Sequence, residues 1–402
     1  MAKKRGNGEG SIYQRASDKL WIGTYTVGRK ADGTPNVKTV SAKKQEDCLR
    51  KLREKQQQVD AGLYIEPDKM TVEQWMQTWF EHYVRPVRKG STADTTYHNI
   101  NQHIIPTIGS VRLQKLRSEH IQAFINKEQA EGNKGKGLAP ATIKRITAVL
   151  HAALEQAVAN KLIISNPCSK KAVKLPKMEQ EEVEVLQDWE YDQLLPAIPD
   201  SNEGRAILLM LNIGLRAAEV CGLRWKDIDD DFLTVNQACM RMGEYEGSKQ
   251  TGTKIGFCTP KSKKSHRQIP LSKSMQALIR KQRMYVNTAH VNAVKAYESG
   301  RTAKQWQDHD MLFCTAQGTP LDKRNLLRTY HRILKAAGLN QRGLHTLRHT
   351  FATRALAKDM DVRTLSELLG HENVATTLNL YCHSSLDKKR EWMEKLDDAV
   401  SV

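Results

Sequence analysis

His345-Thr-Leu-Arg348-His349, followed by Leu369-Gly370-His371 and then Tyr381, is where the reading of this chain turns, with Gly214-Leu215-Arg216 as its counterpart far upstream. Two arginines can hold the non-bridging oxygens of a phosphate, two histidines can add donors or carry a proton, and a tyrosine can attack phosphorus. Together these residues describe phosphoryl transfer on DNA. Each piece is weak singly. The ordered series of Arg, basic segment, His-x-x-Arg, Gly-His and Tyr is far harder to meet by chance.

The composition points to the same kind of partner. The chain of 402 residues carries 63 Lys and Arg against 45 Asp and Glu, a net charge of +18. Such a balance favours polyanions, whose condensed counterions are released when lysines and arginines replace them. Charge alone also fits a basic protein with no specific ligand. Seven cysteines are scattered at 48, 168, 221, 239, 258, 314 and 382 with no Cys-x-x-Cys pair, as reduced thiols in a cytosol would be. The basic start Met-Ala-Lys-Lys-Arg leads into Gly-Asn-Gly-Glu-Gly, so no signal peptide is expected. No run approaches transmembrane length, and no membrane partner is expected. The expected location is cytoplasmic, nucleoid-associated and of bacterial type.

Working outward, the pattern predicts several domains, in keeping with a length that suits two to four. In the first ~65 residues, Ser11–Arg15, Leu20–Val27 and Val37–Val40 are strand-like, Ala31-Asp-Gly33 supplies a turn, and Lys43–Val59 places Cys48, Leu49, Leu52 and Val59 near one helical face. That is a small α+β unit, a three-stranded sheet with one face covered by a helix. From about Thr71 to Val173 the chain reads as all-α. An aromatic helix covers Val72–Tyr83, a second ends before Pro106, a third follows Ser118, and a fourth spans Pro140–Lys161, with a basic loop at Gly132–Gly137. Lys170–Lys177 and Glu179–Glu184, a charge run that changes sign, read as a linker. Beyond it a mainly helical α+β domain is predicted. It has a helix pair broken near Gly214, a strand at Phe232–Asn236, a hairpin over Cys258–Leu271 with a basic tip, a helix around Ser272–Val294, and a strand at Leu312–Thr315.

In its motifs the chain resembles the tyrosine recombinases, also called phage integrases, over about residues 71 to 395. The first box is Gly214-Leu-Arg-Ala-Ala-Glu-Val-Cys-Gly-Leu-Arg-Trp-Lys-Asp-Ile-Asp229, the second His345-Thr-Leu-Arg348-His349, and the third Leu368-Leu-Gly-His371-Glu-Asn-Val-Ala-Thr-Thr-Leu-Asn-Leu-Tyr381. The resemblance implies a catalytic set of Arg216, Lys261, His345, Arg348, His371 and the nucleophile Tyr381. It implies a 1–65 arm-type, AP2-like DNA-binding domain, a 71–175 SAM-like core-binding domain, and a 183–395 catalytic domain ending in an oligomerisation tail. The strand-strand-strand-helix order with Trp21 and Tyr25 resembles the arm-binding domains of conjugative-transposon and prophage integrases.

In the implied mechanism Tyr381 attacks a backbone phosphate, leaving a 3′-phosphotyrosine link and a free 5′-hydroxyl. Arg216 and Arg348 hold the non-bridging oxygens, Lys261 protonates the departing oxygen, His345 assists proton transfer, and His371 hydrogen-bonds the phosphate. Lys263 and Lys264 compete with Lys261 for the acid role. Glu219 either orients Arg216 or solvates its face; Arg224 reads as structural, and His349 as a packing residue. His345 and His349 have a zinc-compatible spacing, but no third ligand follows, so no metal or other cofactor is expected. Expected partners are double-stranded DNA at core and arm sites, further copies of the chain in a tetramer, and an excisionase or DNA-bending protein. The other readings are a chromosome or plasmid resolvase of the same family, a type IB topoisomerase, and a non-catalytic DNA-binding regulator.

Overall fold

The computed structural model describes residues 11–30, 32–62, 64–88, 90–178, 183–259, 265–381, 390 and 393–394, without the side chains of 133, 134 and 379–381. Lys261, Lys263, Lys264 and most of the 386–396 tail lie outside the described residues. The chain divides into two compact units, Met1–Arg88 with Thr92–Met178, and Lys89–Ser91 with Glu179–Val402.

The first unit begins with an antiparallel sheet of β1 (Ser11–Gln14), β2 (Trp21–Arg29) and β3 (Pro35–Ala42), in spatial order β1-β2-β3. Its register runs from Ser11↔Thr24 to Gln14↔Trp21 on one side and from Trp21↔Ala42 to Arg29↔Pro35 on the other. Helix α1 (Gln45–Asp60) buries Cys48 and Leu52, and the sheet buries Ile22 and Tyr25. Gly23 sits where a Cβ would come within 3.0 Å of Val40 Cγ2, so the strand can lie this close to its neighbours only without a side chain there.

Five helices follow: α2 (Val72–Trp79), α3 (Gly90–Asn99), α4 (Ile105–Ile108), α5 (Ser118–Gly135) and α6 (Pro140–Ala159). Thr71 and Gln74 form a reciprocal capping box that starts α2. The aromatic stripe is core: Trp75 and Phe80 are buried, and Trp75 Nε1 donates to the Ala153 carbonyl at 2.9 Å. Two expectations need correction here. Helical backbone does not stop before Pro106 but continues to Ile108, because a π turn at Ile100–Ile104 absorbs the ring's bulk and missing N–H. The basic stretch from Gly132 is not all loop, since α5 runs to Gly135, where a glycine at φ +86° allows the exit turn.

The second unit holds α7 (Asp188–Ala197), α8 (Asn202–Ile213), α9 (Ala217–Val220), β4 (Phe232–Val235), β5 (Ala238–Glu246), β6 (Lys249–Cys258), β7 (Arg267–Pro270), α10 (Lys273–Glu298), α11 (Lys323–Ala336), α12 (His345–Ala357), α13 (Val362–Leu369) and α14 (Val374–Tyr381). Its core gathers Leu209, Met210, Leu215, Val220, Leu233, Ile269, Tyr330 and Leu347 around α8. The sequence reading of the sheet is corrected. The hairpin is β5–β6, paired from Ala238↔Cys258 to Glu246↔Lys249, whereas β7 pairs with β4. Leu312–Thr315 forms only isolated bridges, Arg224↔Met311 and Cys314↔Pro320 flanking it, and is not a strand. No described helix is long and apolar enough to cross a membrane.

Candidate active site

Two left-handed glycines bring the distant motifs together. Gly214 caps α8 at φ +68°, ψ +26°, turning the chain so that Arg216 leads directly into α9. Gly370 caps α13 at φ +65°, ψ +45°, and delivers His371. Only a residue without Cβ adopts these angles at little cost. At Gly214 space is limiting as well, since a Cβ would lie 2.5 Å from Phe351 Cδ1 and 2.9 Å from Leu369 Cδ2.

Arg348, on the first turns of α12, is 1 % exposed. Its Nη1 donates to the Gly214 carbonyl and its Nη2 to the Leu369 carbonyl, both at 2.7 Å. It therefore stitches the two glycine turns to each other. Arg216 donates to the same Leu369 carbonyl at 3.5 Å and to Glu219 Oε1 at 2.8 Å, while its side chain stays one-third exposed, at 34 %. Glu219 is buried, and its Oε2 also accepts from the Arg216 backbone N–H at 2.9 Å. Of the two readings of Glu219, orientation of Arg216 is the one the geometry bears out. Burial alone would raise the Glu219 pKa, but hydrogen bonds and charge from Arg267, then the charge of Arg216, pull it down to about 2. It is thus a carboxylate at any working pH.

The histidines are held neutral by the same cations. His371 is half-buried and shares a 2.8 Å hydrogen bond between its Nδ1 and Thr377 Oγ1. Burial first, then Arg348, Arg216 and Arg267, push its pKa down to about 4. His345 is lowered by burial and then by Arg348 and Arg216. His349 falls to about 4 through burial, His345 and Arg348, and its ring stands edge-on to that of His345 with centroids 4.9 Å apart. Among the described residues no cluster could hold a metal ion.

Four of the six predicted residues, Arg216, His345, Arg348 and His371, therefore feel one another's charge. Tyr381 is the last residue of α14, one turn beyond the buried Thr377 that contacts His371. Cys258 and Thr259, which lead into the segment containing Lys261, line one open cleft with Arg216, Glu219 and His371. Arg224 pairs with Asp227 at 3.1 Å, away from this network. The sequence reading missed Arg267 and Thr377. Both are buried polar residues at element positions that no spacing rule marks.

A model of the phage integrase family matches residues 184–388, and a model of the SAM-like N-terminal domain of phage integrases matches residues 71–129. The chain belongs to the phage integrase family. As a phage integrase it is a tyrosine-type site-specific recombinase, an enzyme that breaks and rejoins DNA. A tyrosine recombinase XerC-like protein of Caldanaerobacter subterraneus subsp. tengcongensis is 27% identical over 405 residues, covering 99% of each chain. Among solved structures, the Tn1549 transposon integrase in complex with a circular intermediate DNA aligns with a TM-score of 0.60 at 22% identity, covering 81% of this chain and 99% of that one. The lambda integrase tetramer bound to a Holliday junction aligns with a TM-score of 0.55 at 18% identity, covering 94% and 96%. These likenesses establish the fold: a small sheet-and-helix N-terminal region, a helical SAM-like region and a mainly helical catalytic region.

Proposed function

We propose that this chain is the integrase of a mobile element such as a conjugative transposon or prophage, integrating and excising it through a 3′-phosphotyrosine intermediate. The observation that carries the proposal is the pair Arg216 and Arg348, both on the Leu369 carbonyl beside His371. Two fixed cations beside neutral histidines suit a phosphate that gains charge in the transition state. In this reading Tyr381 attacks phosphorus. A tyrosine of ordinary pKa about 10 needs such cations, or an acceptor, to do so near neutrality. Arg216 and Arg348 hold the non-bridging oxygens, His371 donates to the phosphate, His345 assists proton transfer, and Lys261 protonates the departing 5′-oxygen. One phosphodiester replaces another of similar energy, so the chemistry needs no nucleotide.

The division of labour we propose is arm-site binding by residues 1–65, core-site binding by 71–175, and catalysis by 183–395 in a tetramer on paired sites. An excisionase or DNA-bending protein would set the direction, in the cytoplasm at the nucleoid. The transposon and tetramer named for the two structural neighbours support the element type and the assembly. The test is covalent capture on nicked duplexes from a randomised or element-end library. Wild type should yield a DNA adduct on a denaturing gel that Tyr381→Phe does not. Tight DNA binding without an adduct would instead favour a catalytically silent DNA-binding protein.

A further inference from the structure

Arg267, the first residue of β7, is outside the six-residue set yet lies at the centre of its supports. It is only 7 % exposed. Its Nη2 donates to Glu219 Oε2 at 2.9 Å and its Nη1 to Glu219 Oε1 at 3.2 Å. These are the two oxygens that also accept from the backbone and side chain of Arg216. Its Nε donates to the Leu368 carbonyl at 2.6 Å, one residue before the Leu369 carbonyl gripped by Arg348 and three before His371. One planar guanidinium thus ties the carboxylate behind Arg216 to the backbone that presents His371.

We propose that Arg267 is a positioning residue for strand cleavage. It holds Arg216 through Glu219 and fixes the approach to His371, and this inference rests on the recombinase reading above. Charge gives the physical reason. With Arg216 as its only partner, buried Glu219 would form a one-to-one ion pair and draw Arg216 away from a phosphate. Arg267 supplies the second positive charge, so the three side chains keep a net positive charge for the ligand. Lysine at this position would supply the charge but not the fork that meets two carboxylate oxygens and a carbonyl at once.

The experiment is single-turnover cleavage of a nicked core duplex at saturating DNA, with melting temperature and DNA affinity measured alongside. Arg267→Lys should cleave roughly 10- to 100-fold more slowly, the size expected of a misplaced reacting group, while its melting temperature and affinity stay near wild type. In an Arg216→Lys background the same change should slow cleavage by less than about 3-fold, because two residues acting through one bridge do not add. Equal slowing in both backgrounds, or no slowing at all, overturns the proposal. Should Arg267→Lys lower the melting temperature, Glu219→Gln breaks the bridge from its other side, and wild-type cleavage in that variant overturns the proposal too. If wild type forms no adduct, the recombinase reading itself fails and this inference falls with it.

Discussion

Arg348 concentrates what single side chains contribute here. A buried guanidinium bonded to the carbonyls of Gly214 and Leu369 is both a phosphate ligand in waiting and the clasp between two turns. Replacing it by lysine keeps a charge but loses the fork. Single-turnover cleavage by Arg348→Lys should fall about 10²- to 10³-fold, the usual cost of one transition-state donor. The cations that would hold a phosphate also depress the neighbouring histidines, with a consequence for stability. His349 and His371 bind protons near 6.5 when unfolded but only near 4 when folded. The unfolded chain therefore takes up more protons between those values. Their contribution is fully present above pH 6.5 and is lost as pH falls towards 4. Urea midpoints of the DNA-free protein should drop between pH 7 and 5, and by less in His349→Gln; an unchanged drop in that variant would refute the assignment. The motif residues were readable because chemistry restricts residue type at fixed spacings. Arg267 was not, because its partners Glu219 and Leu368 are 48 and 101 positions away and only the fold brings them into reach.

Turns and helix ends, rather than the helices themselves, decide where the site forms. Gly214 ends α8 in the left-handed region with Phe351 and Leu369 against its Cα. Gly214→Ala should therefore destabilise the catalytic unit by about 2 kcal/mol or more, through overpacking and backbone strain together. Thermal unfolding measures that loss, and cleavage should fail in parallel because the Gly214 carbonyl is an Arg348 acceptor. A variant as stable as wild type would show that the turn relaxes without cost. The same class of feature explains where sequence reading succeeded and failed. The break near Gly214 was legible from the glycine. The hairpin was misplaced to 258–271 because a run of polar basic residues resembles a loop tip. The true turn is the two-residue Gly247-Ser248 between paired Glu246 and Lys249, with Gly247 at φ +56°. Gly-Ser between two alternating segments is a local hairpin signal, so this feature was present in the sequence. The continuation of helix through Pro106 was not, because a π turn is fixed by packing of Ile100 and Ile104 rather than by any residue that announces it.

A chain of net charge +18 will bind any duplex, so the useful measurement separates general attraction from the joint use of two modules. General attraction releases counterions and falls with salt at about 0.9 per phosphate contacted on a logarithmic plot. Two tethered modules behave differently. Once one is bound, the other meets its site at an effective concentration in the millimolar range, which can raise overall affinity ~10²- to 10⁴-fold with no new contact. If residues 1–65 read an arm site while the rest reads a core site, a DNA carrying both should be bound at least ~10²-fold more tightly than either site alone at the same salt. Deleting residues 1–65 should abolish that gain and make the salt slope shallower, while leaving cleavage of an isolated core site at a comparable rate. The comparison is decisive because both outcomes are internally controlled. Loss of core cleavage on deletion would mean that the N-terminal sheet supports the neighbouring helices, to which it already connects through Lys38–Glu66 and the Tyr25–Tyr64 ring contact. Equal affinity for single and paired sites, with core cleavage intact, would mean that the sheet adds charge without reading sequence.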